Sequence, residues 1–125
     1  MDDLIGKVIS FVNELYGSYM KIQEIHWNTY KKGVHTTQDE IKDAIIDYAD
    51  KLGEVTIGID SRPGFDVLHP IIPMSTSSEE ICTVLTRKAE RLKESLIGPG
   101  YSGLVNVLDD FCADFNKYTY LSTLL

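Results

Sequence analysis

The stretch TTQDEIKDAIIDYADKLGEVTIG (36–58) decides the fold class of this chain. On a wheel at about 100° per residue, Asp39, Asp43, Asp47, Asp50 and Glu54 fall within about 80° of one another. Ile41, Ala44, Ile45, Tyr48, Leu52 and Val55 centre at about 190° from Asp39, on the opposite side. One face is apolar and the other acidic, the pattern of an amphipathic helix. Thr36 and Thr37 each offer a hydroxyl N-cap, Thr37 with Glu40 matches a capping box, and the pattern ends near Gly58.

Three more helices flank it. Upstream, Leu4, Val8, Phe11, Leu15, Tyr19 and Ile22 recur at three- and four-residue steps. With no proline in the way, the stripe predicts a first helix unbroken from about Asp2 to Lys32. Downstream, Ser77 with Glu80 repeats the capping signal, and Gly98-Pro99-Gly100 stops that third helix. Leu104, Leu108, Phe111, Phe115 and Leu121 mark the apolar face of a fourth. The long connection, from about Ile59 to Thr76, carries Pro63, Pro70 and Pro73 and cannot be one regular helix. Period-two alternation is weak throughout, so no sheet is expected. Short outer loops and one longer connection between helices two and three predict an all-α, up-down four-helix bundle.

The 125 residues fit one small domain, 1–125, with one core. An apolar content of 43% and a charged content of 25% are ordinary for a soluble globular protein. No apolar run approaches the roughly 20 residues that a membrane span needs. The opening MDDLIGKVIS is acidic, unlike a secretion signal, so a cytoplasmic location is the expectation. Cys82 and Cys112 follow no CxxC spacing and read as reduced and buried, with a disulfide between neighbouring helices as the alternative. A net charge of −7 argues against nucleic acid as a partner, because phosphate binding needs a basic surface. Lys31–Lys32 is one basic group. The other, Arg87, Lys88, Arg91 and Lys93, alternates with Glu90 and Glu94 as a solvated helix face does.

Chemistry concentrates between His26 and Glu54. Imidazole nitrogens and carboxylate oxygens together suit iron, manganese or zinc. The acids point away from the bundle's own core, which fits either a solvated face or a surface covered by a second subunit. Ile46, Gly53 and Ile57 beside them suit the second, and acids buried there would repel one another without a cation. His26 falls near the centre of the first apolar stripe, where a satisfied core histidine is the ordinary reading. His35 lies just before the second helix, four residues from Asp39, so that both can converge on one ion. His69, in the proline-rich connection, reads as a loop residue.

The run HWN (26–28), a second histidine with an acid four residues on (His35, Asp39), and D-x-x-x-E (Asp50, Glu54) together resemble the Dps branch of the ferritin superfamily. FNKYTYLSTLL (115–125) is similar to that family's last helix. The short HWxT-x5-H form is similar to compact ferritin-like proteins encoded by bacteriophages and large viruses. The resemblance implies a ferritin-like fold and oxidation of ferrous iron at a two-fold subunit interface. His26, His35 and Asp39 would come from one subunit and Asp50 and Glu54 from its neighbour, with iron bound, or manganese or zinc. It implies a homo-oligomer, at minimum a dimer and at most a cage of about twelve subunits. Trp27 and Tyr30 would pack that interface, with interception of oxidising equivalents as the alternative. The bacterial cytoplasm or a virus-infected host cell would be the location. Neither end carries the basic tail that some members use on DNA, so DNA binding is not expected. A reading from another class is a non-enzymatic ferritin-like interaction or sequestration bundle, with Phe65, Leu68, Ile71, Ile72 and Met74 as contact residues.

Overall fold

The described residues, 3–61, 63–75 and 77–124 of a computed structural model, hold the helices α1 (Asp3–Trp27), α2 (Lys32–Ile59), α3 (Ser78–Ser95) and α4 (Ser102–Thr123). No strand occurs among them, so the all-α expectation stands. The expected helix start at Asp2, the end of the long connection at Thr76 and the final Leu125 lie outside the described residues.

The first helix is shorter than the apolar stripe predicts, ending at Trp27. Asn28 Nδ2 donates to the Glu24 carbonyl at 2.9 Å, and Thr29 Oγ1 donates to the Ile25 carbonyl at 2.6 Å. These side chains share the carbonyls of the last turn with the Asn28 N–H, which bonds to the Glu24 carbonyl at 3.2 Å and the Ile25 carbonyl at 3.1 Å. It re-enters at Lys32, ahead of the expected Thr36 or Thr37. The capping box at Thr37 is not used: Lys31 is the N-cap without a side-chain bond, and Thr36 bonds back to the Lys32 carbonyl at 3.2 Å. The Ser77 signal is used, its side chain accepting from the Glu80 N–H. At the far end α3 stops at Ser95, short of Gly98-Pro99-Gly100, and Gly98 takes a φ of 128° in the turn that follows.

The helices pack as a closed circuit, α1 on α2, α2 on α4, α4 on α3 and α3 on α1. Gln38, early in α2, donates to Ser78 at the start of α3 at 3.4 Å, whereas Val55, late in α2, lies against Gly103 at the start of α4. Both α2 and α3 therefore run in the same direction, while α1 and α4 run the other way. Strict up-down alternation fails at this one step. The connection 60–77 must travel back along the bundle, a distance set by α2's 28 residues and hence about 42 Å.

That return path lies on α1. The Ile71 N–H donates to the Asn13 carbonyl at 3.1 Å, one turn before Gly17. A Cβ at Gly17 would collide with the Ile71 carbonyl, so glycine is what lets the two backbones meet. Inside the circuit, Val8, Leu15, Ile22, Ile41, Ile45, Leu52, Leu85, Leu104, Leu108, Phe111 and Phe115 are buried, the faces that the periodicity selects. Phe111 stacks on Phe115 with centroids 4.1 Å apart and meets Phe11 of α1 and Tyr48 of α2 edge-on. Such pairs add about 0.5–1.5 kcal/mol each beyond their area. Both cysteines are free and buried, which excludes the disulfide alternative.

Two outcomes test this packing. Gly17→Ala raises helix propensity by about 1 kcal/mol, yet it should lower the midpoint of thermal unfolding by several degrees, because the connection must lift off α1. A midpoint equal to or above that of the parent would contradict the close approach. Burial raises both thiols, Cys82 to about 12 and Cys112 to about 12. At pH 8 the native protein should therefore resist a disulfide-exchange reagent and release both thiols only in denaturant, as followed by absorbance.

Candidate metal centre

The turn 28–31 carries His26 at the end of α1 and His35 in the first turns of α2, so two helix ends hold the two imidazoles. His35 is inside the helix, not before it, as the earlier start of α2 requires. Its Nε2 lies on the Thr29 carbonyl. A carbonyl only accepts, so that nitrogen carries the proton and Nδ1 presents its lone pair. Nδ1 faces His26 Nε2 at 3.5 Å, and the two rings meet edge to face with centroids 4.4 Å apart. Asp39 Oδ1 stands 3.5 Å from the same His26 nitrogen.

His26, His35 and Asp39 therefore converge. The apolar stripe suggests a core histidine at 26, but its side chain is 16% exposed and its ring turns to the α1–α2 corner. Its Nδ1 is buried with no hydrogen-bond partner among the described residues, so the ring does its polar work through Nε2 alone. Two ligand atoms about 2.1 Å from a metal at a tetrahedral angle lie about 3.4 Å apart, so the observed spacings leave room for an ion. The three side chains do not enclose one by themselves: no group of three or more His, Cys, Asp or Glu able to hold a metal occurs among the described residues. Asp39 is 57% exposed and leaves the outer side open.

Lys42 completes the corner, and charge patterning alone did not single it out. Its Nζ sits 3.3 Å from Asp39 Oδ1 and donates to Gln23 Oε1 of α1. The lysine side chain is only 12% exposed. Residues i and i+3 on a helix are neighbours, so the pair was findable from spacing; the reach to Gln23 required the fold.

Asp50 and Glu54 are exposed on the same outward side of α2 but far along it. Asp50 is eleven residues from Asp39, a rise of about 16 Å. One chain therefore brings together the first set of candidate ligands and leaves the second set apart. Ile57 beside them is 55% exposed, and Trp27 and Tyr30 are 73% and 99% exposed.

Other acids of α2 turn towards α4. Glu40, Asp43 and Asp47 line an open groove of about 530 Å³ with Tyr48, Asp114 and Tyr118. Tyr48 donates to Asp114, and its phenol is raised by burial first, then by that bond and the neighbouring carboxylates. His69 is a loop residue, its Nδ1 2.6 Å from Asp66, whose carboxyl is held below its usual range by that bond. The basic residues of α3 do not simply pair along their own helix. Lys93 bridges Glu90 at 3.0 Å and Asp109 of α4 at 2.9 Å, and Lys88 reaches Glu14 of α1 at 2.7 Å.

No helix is long and apolar enough to cross a membrane among the described residues. In comparisons with known proteins the chain matches no family model, no curated protein and no solved structure.

Proposed function

We propose that this chain is a Dps-like, ferritin-like iron protein that binds and oxidises Fe(II) at a site shared by two copies across a two-fold axis. The observation that carries the reading is the split of the ligand set: His26, His35 and Asp39 converge at one corner, and Asp50 and Glu54 lie about 16 and 22 Å along the same outward side of α2. An antiparallel pairing of α2 with its copy, centred between Ile46 and Asp47, sets Asp39 opposite Glu54. Facing carboxylates repel unless a cation lies between them. Ile46, Gly53 and Ile57 supply the apolar and close-approach positions such a seam needs. The single long crossover between parallel helices also suits a ferritin-like bundle.

Fe(II) is the substrate here. Two imidazole nitrogens and carboxylate oxygens form a donor set that holds it and favours Fe(III) once formed. Each iron gives up one electron, and peroxide or dioxygen takes it. His35 is held in the ligating tautomer by the Thr29 carbonyl, the kind of outer contact that orients a metal-binding histidine. Asp39 and Glu54 neutralise the ion's charge, and Asp50 orients a histidine or binds a second ion. Assembly ranges from the dimer that the site demands to a cage of about twelve subunits. The cytoplasm, bacterial or of an infected host cell, is the setting that fits such a protein.

One observation favours the other class. Leu68 and Met74 of the connection are 84% and 97% exposed, as a contact surface of a non-enzymatic sequestration bundle would have them. Elemental analysis of protein purified without chelator separates the two readings, with iron at a fixed ratio per dimer expected for the first.

The shared site makes a sharper forecast. His26→Ala and Glu54→Ala proteins, each slowed at least tenfold in forming ferric absorbance from Fe(II) in air, should recover when mixed and allowed to exchange subunits. Half the dimers are then mixed and each keeps one intact site, so about a quarter of the parent rate returns. No recovery, or a stable monomer by light scattering, would overturn the two-fold site.

A further inference from the structure

We infer that Lys42 competes with metal ions at this corner by occupying the carboxylate that a cation must take. The inference rests on reading His26, His35 and Asp39 as ligands. An exposed Lys–Asp pair at i,i+3 is mobile and weak. This one is built differently. The lysine stem is 12% exposed, its ammonium lies 3.3 Å from Asp39 Oδ1, and its second acceptor, Gln23 Oε1, belongs to another helix. Two fixed acceptors on two elements pin the charge beside the ligand oxygen.

A cation arriving at Asp39 therefore meets a positive charge already in place. A monovalent ion offers the carboxylate no more than the ammonium does, and it gains little from imidazole. Magnesium gives up its water reluctantly and prefers oxygen donors. A divalent transition ion gains two imidazole nitrogens as well as the carboxylate, enough to push the ammonium aside. Gln23 gives Lys42 a partner after that displacement, so the released charge is not stranded. The lysine lowers affinity for every cation, and only ions that use the histidines overcome it.

The test is Co(II) binding to the full chain without oxygen, read by calorimetry and by the visible spectrum of the bound ion, so that no turnover is involved. Lys42→Met keeps the buried stem without the charge, and Lys42→Arg keeps the charge. We expect Lys42→Met to bind Co(II) at least tenfold more tightly with an unchanged spectrum. Its gain for Mg(II) should be similar in proportion, since the same ammonium is displaced, while Lys42→Arg stays within about twofold of the parent. If Lys42 only tethers α1 to α2, both variants would shift the unfolding midpoint and leave Co(II) affinity where it was, which would overturn the inference alone. If neither the parent nor Lys42→Met binds Co(II), or if His26→Ala binds as well as the parent, the ligand reading itself fails. Matching helical circular dichroism in all variants secures the comparison.

Discussion

The contact between the returning chain and the middle of α1 governs everything else in this molecule. Because α2 and α3 run in the same direction, residues 60–77 must cover the length of the bundle without helix to satisfy their backbone. They settle on α1 where Gly17 has no side chain and the Asn13 carbonyl accepts the Ile71 N–H. That docking holds the third helix opposite the first and closes the circuit of four. It also places the crossover against α1 and α3, so it does not cover the outer side of the α1–α2 pair. The corner with His26, His35 and Asp39 is open for that reason.

Two demands meet on α2. Its inner face supplies Ile41, Ile45, Tyr48 and Leu52 to the core, and its outer face carries acids that no part of its own bundle covers. Some of that charge is answered within the chain: Lys42 sits at Asp39, and Lys51 at Asp47 at 3.1 Å. Asp50 and Glu54 have no ion pair among the described residues.

The helical frame was readable because burial is periodic. Leu104, Leu108, Phe111 and Phe115 were legible as a core stripe from spacing alone, and they are buried. Ser77 was legible as a cap because its function needs only a neighbour three residues away. What escaped depends on competition or on distant partners. The apolar stripe runs past Trp27, and its period does not mark the point where the chain turns out of the helix. Thr37 has the letters of a capping box but lies inside a helix that the short turn starts early. The direction of α3 is invisible in periodicity, since a stripe reads the same whichever way the helix lies. Of the site, the four-residue step from His35 to Asp39 was legible as one helix face, whereas their meeting at His26 Nε2, the Lys42–Gln23 bridge and the Thr29 carbonyl joined residues that only folding brings together.

The crossover has a topological consequence. The molecule consists of two helical hairpins, α1–α2 and α3–α4, joined by one tether. Every core contact between the hairpins would be reproduced if α3–α4 of one copy settled on α1–α2 of another. Such exchange between chains is a general hazard of folds with a single long hinge. What separates the closed form from the exchanged one is the seating of the tether itself, through buried Pro63, Phe65 against the core, and the Ile71–Asn13 hydrogen bond beside Gly17. Gly17 thus bears on how many chains make one unit as much as on how one chain folds.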